Sequence, residues 1–355
     1  MNDNFERLMT EATRLVRSGS LTEATAAIQQ ALAGAPVPSR TAPRDDADVI
    51  DVEARIVGEP VAAPASASAP TQAGRAESFT SGHFKNECGG RDFKLFEPAR
   101  EDDRPLPLVV MLHGCTQDPD DFARGTRMNA LAREQGFVVL YPSQSQRANA
   151  QRCWNWFKHN HQARGKGEPA ILAGMVRDVI AKHGVDPARV YVAGLSAGGA
   201  MAAILGDAYP DLFAAVGVHS GLPTGSATDV PSAFAAMSGG AQPVPRSPKA
   251  GRTPPTIVFH GDADTTVHVV NGERVLQAAG LFASPDLRRG STAMGVAWSC
   301  RRFVDAHGAE RAEEWTIHGA GHAWSGGDLA GSYTDPRGPD ASAEMLRFFL
   351  QHPKG

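Results

Sequence analysis

Gly194-Leu195-Ser196-Ala197-Gly198 sets one serine between two glycines, just after the apolar run 189–193 and just before the small, helix-compatible residues 199–205. A serine at such a strand-to-helix junction occupies a sharp, strained turn, and glycines beside it remove the Cβ atoms that would clash with strand and helix. Its hydroxyl is then exposed next to the positive end of a helix. Those conditions suit a nucleophile, provided that a base lies within hydrogen-bond reach and a third group orients the base. Taken alone, the pentapeptide is also compatible with an ordinary tight turn in a chain with 37 glycines.

Candidates for the other two groups follow later strands. The run 256–260 leads into Gly261-Asp262-Ala263-Asp264, and 314–317 leads into His318-Gly319-Ala320-Gly321-His322-Ala323-Trp324. In a doubly wound sheet, ligands bind beyond the carboxyl ends of the strands, where these residues fall. We assign Ser196 as nucleophile, Asp264 as orienting acid and His322 as general base, the chain order of α/β-hydrolases. His322 sits in a glycine-rich loop able to carry its ring over the serine, which His318 at the strand end does less easily. Asp262 competes with Asp264 for the acid; one residue past a glycine turn, it is also suited to capping that loop. A tetrahedral intermediate needs two N–H donors. Ala197, immediately after the serine, supplies one, and Cys115 in His113-Gly114-Cys115-Thr116-Gln117, after the strand 106–112, supplies the other.

The elements that must position these residues alternate along the chain. Apolar strands are expected at 93–96, 106–112, 137–141, 190–193, 214–219, 256–260 and 314–317, and helices at 121–134, 169–183, 197–208 and 342–351. Such alternation predicts a doubly wound, mostly parallel sheet covered on both faces. Residues 1–34 read as a short amphipathic helical hairpin, with Ser20 and Glu23 as a capping box for its second helix. Residues 35–78 turn to Ala, Pro, Ser, Thr and charge and read as a flexible linker, leaving 79–355 as the catalytic domain. The stretch 224–252, rich in Gly, Pro, Ser and Ala, suits a lid or a disordered segment.

Composition narrows the partners. A formal net charge of −4 over 355 residues, with Lys and Arg scattered, gives no footprint for nucleic acid. No apolar run approaches the roughly 20 residues that cross a bilayer, and the first residues lack the pattern of a secretory signal, so a membrane is not expected and a cytoplasmic location is favoured. Four cysteines (Cys88, Cys115, Cys153, Cys300) are too few for a disulfide scaffold, and none has zinc-ligand spacing.

With Arg152-Cys153-Trp154-Asn155-Trp156-Phe157 added, five motifs in order over residues 80–352 resemble the polyhydroxybutyrate (PHB) depolymerase family of esterases, neighbours of acetylxylan and feruloyl esterases. The resemblance implies an α/β-hydrolase fold, carboxylic ester hydrolysis through an acyl-serine, and no metal or organic cofactor. It puts the family's triad on Ser196, Asp264 and His322 and its oxyanion donor on Cys115. Similar esterases bridge a cysteine pair placed like Cys115 and Cys153; two reduced thiols, as a cytosolic protein would hold, remain the alternative. Cys88 and Cys300 read as buried or free thiols. Trp154, Trp156 and Trp324 flank the site motifs and are expected to wall the acyl pocket, although aromatics are also ordinary core. The ester expected is a hydroxybutyrate oligomer or polymer or a small acyl ester, with acetylxylan and feruloyl esters as alternatives. Family members include many secreted proteins. A different class of reading is a non-catalytic protein on this fold, recruited to a granule or a partner, or self-associated, through the N-terminal hairpin.

Overall fold

The computed structural model describes residues 75–240, 253–278, 286–305 and 307–354. The chain divides into a unit spanning Met1–Ala67 and one spanning Ser68–Gly355, and every described residue belongs to the second. The expected helical hairpin over 1–34 and most of the linker over 35–78 lie outside the described residues. The last residues of that linker are already part of the folded unit: Arg75 pairs backbone to backbone with Arg100, and the first strand starts at Ser78.

The described residues build a ten-stranded sheet. In chain order its strands are β1 Ser78–Asn86, β2 Gly89–Glu97, β3 Leu106–Leu112, β4 Val138–Pro142, β5 Val185–Leu195, β6 Ala215–His219, β7 Thr256–Gly261, β8 Asp286–Ser291, β9 Ala297–Val304 and β10 Glu310–Ile317. They lie side by side in the order β1-β2-β4-β3-β5-β6-β7-β10-β9-β8. From β4 to β10 neighbours run parallel, and β1, β2 at one end and β9, β8 at the other add antiparallel edges. This is the α/β-hydrolase arrangement. All seven expected strands are present; β1, β8 and β9 are additional, polar or alternating rather than apolar, which is why composition does not flag them.

The central strands are buried on both faces, as their unbroken apolar runs require. In β3, Leu108, Val110 and Leu112 enter the core on one side while Val109 and Met111 enter the other, the period of two made visible. Helices Gly167–Lys182 and Ala197–Ala208 cover the first side, through Leu172, Val176, Met201 and Leu205. The second side is covered by Pro119–Thr126, Met128–Gln135 and Ala341–Leu350, through Phe122, Met128, Met345 and Phe349. The single helix expected over 121–134 is thus two, because Arg127 takes φ 55° and breaks it. Part of the expected loop 224–252 is ordered as well: Val230–Met237 is a helix, started by a capping box in which Asp229 accepts the Ser232 N–H. A further helix, Val270–Ala278, follows β7. Among the described residues no helix is long and apolar enough to cross a membrane.

Candidate active site

Ser196 sits where β5 passes into the helix Ala197–Ala208, with φ 57° and ψ −120°. Positive φ at a non-glycine residue is strained and persists only when the surroundings enforce it. Here they do. The Ser196 N–H donates to His219 O at 2.8 Å, tying the turn to the end of β6. A Cβ on Gly198 would overlap the Leu112 carbonyl oxygen, and one on Gly194 would overlap the backbone of Gly198, so both glycines are required by close approach. The first helical bond is Ala200 N–H to Ser196 O, which leaves the Ala197 N–H among the unpaired amides of the helix N-terminus.

Gly114 lies against this turn; a Cβ there would stand 3.7 Å from the Ser196 Cβ. In the same loop the Gly114 N–H donates to Gln117 Oε1 and the Thr116 N–H donates to Gln151 O, so the Cys115 N–H between them is the one not engaged by either contact. His113 braces the loop from beneath. Its Nε2 accepts the Gln144 N–H, which places its proton on Nδ1, bonded to Gly114 O at 2.7 Å. Burial holds the His113 imidazole down to about 4, hence neutral. A disulfide joins Cys115 to Cys153, tethering this loop to the segment that carries Trp154 and Trp156. Cys88 is exposed and Cys300 buried, both as free thiols.

The orienting pair is short: His322 Nδ1 lies 2.7 Å from Asp264 Oδ2, while Asp264 Oδ1 accepts the N–H groups of Thr266 and Val267. Burial pulls the Asp264 carboxyl upward, but hydrogen bonds from His260 and His322, the His322 charge and the Val267 N–H outweigh it and hold the group well below the usual carboxylate range. An ionised carboxylate fixes the His322 proton on Nδ1 and leaves Nε2 as the basic atom. His219 links this half to the serine: its carbonyl holds the Ser196 N–H, its Nε2 accepts the N–H of Ser325, three residues past His322, and its ring stacks on Trp324. Burial, reinforced by the charges of His260 and His322, depresses His219 to about 3.

Asp262 is placed apart from Asp264. It accepts the Gly319 N–H and pairs with His318, both on the exposed side of the loop. The three tryptophans do not form the expected wall. Trp154, Trp156 and Trp324 are 0, 5 and 1% exposed. The indole of Trp154 donates to His113 O, that of Trp324 to Ser342 Oγ, and Trp156 packs into the core beneath the loop. Indole N–H donors anchored on a backbone carbonyl and a hydroxyl make Trp154 and Trp324 struts for the site loops.

Sequence reading missed Glu168. Wholly buried, it accepts from Arg91, from the Gln144 and Asn155 side chains and from the Asn155 N–H, so one carboxylate fixes the whole Trp154–Trp156 segment. Although burial raises it, hydrogen bonds from His161, Gln144 and Asn155 bring Glu168 down to about 2. A lone glutamate before Pro169 carries no signal in the sequence. Among the described residues no group of three or more His, Cys, Asp or Glu is arranged to hold a metal.

The model of the family described as Esterase PHB depolymerase matches residues 92–316. Over 230 residues the chain is 35% identical to poly(3-hydroxyalkanoate) depolymerase C of Paucimonas lemoignei, which covers 61% of this chain and 54% of that relative. Over 277 residues it is 28% identical to acetylxylan esterase A of Talaromyces purpureogenus, covering 67% and 70%. The chain therefore spans about half the length of the depolymerase it matches. Among solved structures, an acetyl xylan esterase from Aspergillus awamori superposes with a TM-score of 0.60 at 20% identity, over 77% of this chain and 99% of that one, a likeness of fold.

Proposed function

The chain belongs to the PHB depolymerase family of esterases, and on that premise we propose that it hydrolyses carboxylic esters through an acyl intermediate on Ser196. Ser196 Oγ attacks the ester carbonyl as His322 Nε2 takes its proton, and Asp264 holds the resulting imidazolium in place. The developing oxyanion is received by the N–H groups of Ala197 and Cys115. His322 then gives its proton to the departing alcohol, water repeats the sequence on the acyl-enzyme, and the acid leaves. The observation that carries this reading is the 2.7 Å bond from His322 to a buried, ionised Asp264, on the loop that His219 ties to the strained serine.

The substrate we propose is a hydroxybutyrate oligomer or polymer, or another small acyl ester. Initial rates measured in parallel on hydroxybutyrate oligomers, acetylated xylan and feruloyl esters test it: hydrolysis of the oligomers is expected to dominate, and preference for either polysaccharide ester would transfer the chain to that specificity. Ser196→Ala is expected to reduce p-nitrophenyl ester turnover by at least about 10⁴-fold, as loss of a triad nucleophile does. Retention of most of the turnover would remove the mechanism.

A further inference from the structure

A second serine, far from Ser196 in the chain, stands within hydrogen-bond reach of a histidine that is itself paired with an aspartate. Ser299 lies in β9, opposite Thr316 of β10 and opposite Arg289 of β8. Directly opposed residues share a face of the sheet, and His318, two positions past Thr316, returns to that face. Ser299 Oγ stands 3.0 Å from His318 Nε2, and His318 Nδ1 stands 2.8 Å from Asp262 Oδ2. The other carboxylate oxygen of Asp262 accepts the Gly319 N–H at 2.7 Å. Burial pulls the Asp262 carboxyl upward, yet His318 and the Gly319 N–H outweigh it and keep it below its ordinary value. An ionised Asp262 accepts only, so the His318 proton resides on Nδ1 and the Nε2 lone pair faces the Ser299 hydroxyl.

We propose that Ser299 is a second acylatable hydroxyl, activated by His318 and Asp262 and open to activated esters and fluorophosphonates. The site is reachable from solvent, with side-chain exposures of 44% for His318 and 37% for Asp262. Arg289, exposed and without an ion pair among the described residues, stands beside Ser299 as the cation nearest in register to a developing oxyanion. What separates this chain from the Ser196 site is the surrounding backbone. The amides of β9 face the ladders to β8 and β10, and no helix begins at Ser299 to offer unpaired N–H groups. Lacking a pair of backbone donors, the site takes up an acyl group slowly and does not turn over.

The step balances without a further reactant. Ser299 Oγ forms a bond to the carbonyl carbon of an aryl ester, its proton passes to His318 Nε2, and the bond to the aryl oxygen breaks to release phenolate. With a fluorophosphonate the new bond is O–P and fluoride leaves. The acylation is read in the Ser196→Ala protein treated with p-nitrophenyl acetate or an alkyl fluorophosphonate and mapped by peptide mass spectrometry. One equivalent is expected on Ser299, absent in the Ser196→Ala/Ser299→Ala protein. With His318→Gln added to Ser196→Ala, the rate is expected to fall at least about 100-fold, the lower range for loss of a positioned base. Asp262→Asn, which leaves the imidazole in place, should also slow it. Ser299→Ala alone should keep wild-type ester turnover, which establishes that the fold survives. Modification confined to other residues, or labelling of Ser299 at an unchanged rate in both the His318→Gln and Asp262→Asn proteins, overturns the proposal.

Discussion

At the scale of single residues, the proposed chemistry depends on which nitrogen of His322 carries the proton. Asp264 decides this, because its buried carboxylate takes the Nδ1–H at 2.7 Å. Asp264→Asn offers an amide that also donates, which favours the wrong tautomer while preserving shape. Turnover is expected to drop by about 10⁴-fold in kcat with little change in KM; steady-state kinetics on a p-nitrophenyl ester measures it, and an unchanged kcat would assign the orienting role elsewhere. Ser196, Asp264 and His322 stand out in the sequence because each occupies a loop immediately after a strand, where the proposed chemistry and chain position coincide. Separating Asp264 from Asp262 was harder, since both stand after the same glycine. The structure distinguishes them by depth: Asp264 is buried against His260 and His322, whereas Asp262 holds the exposed start of the loop. The tryptophans misled for a related reason. Proximity in sequence to a site motif says that a residue supports the site, and only burial says whether it faces the ligand or the core.

At the scale of elements, the site is an assembly of four loops fixed to one another by buried polar contacts. The loop over 113–117 leans on the His113 ring, the Trp154–Trp156 segment leans on Glu168, and the indole of Trp154 joins the two through its 3.1 Å bond to His113 O. Replacing Trp154 with phenylalanine keeps most of the ring volume but leaves a buried carbonyl unpaired, a cost of about 1–3 kcal/mol. We expect a lower Tm and a kcat reduced more than KM, because Cys115, two residues from His113, loses its fixed placement; thermal melting and kinetics on the same protein test this, and a wild-type kcat would detach Trp154 from the site. The strand-helix alternation was readable because central parallel strands are continuous apolar runs. The outer strands β1, β8 and β9 were not, since one or both of their faces are polar. The break at Arg127 was nearly silent, because the residue that takes the left-handed conformation is an arginine and the neighbouring Gly125 stands two positions earlier, inside the first helix.

At the scale of the whole molecule, three buried groups tie folding to pH in the same direction. His113 and His219 are depressed from 6.5 to about 4 and about 3, chiefly by burial, so the folded protein keeps them neutral where an unfolded chain protonates them. The contribution of these two histidines to stability is therefore fully present above pH 6.5 and declines as the pH falls toward 4, by about 1.4 kcal/mol per pH unit for each. Glu168, lowered from 4.5 to about 2, adds a further loss below pH 4.5, since an unfolded chain takes up its proton first. Urea unfolding at pH 7, 5.5 and 4.5 should show a steadily falling midpoint, and a midpoint that rises on acidification would contradict the burial of these groups. The central claim, a covalent acyl group on Ser196, is tested most directly on the intact chain. The protein is mixed with a p-nitrophenyl ester and quenched in acid within the first turnovers, and its mass is recorded before peptide mapping. One acyl adduct per chain is expected, mapped to Ser196 and absent from the Ser196→Ala protein under the same brief exposure; ester turnover without any adduct on Ser196 would contradict the account.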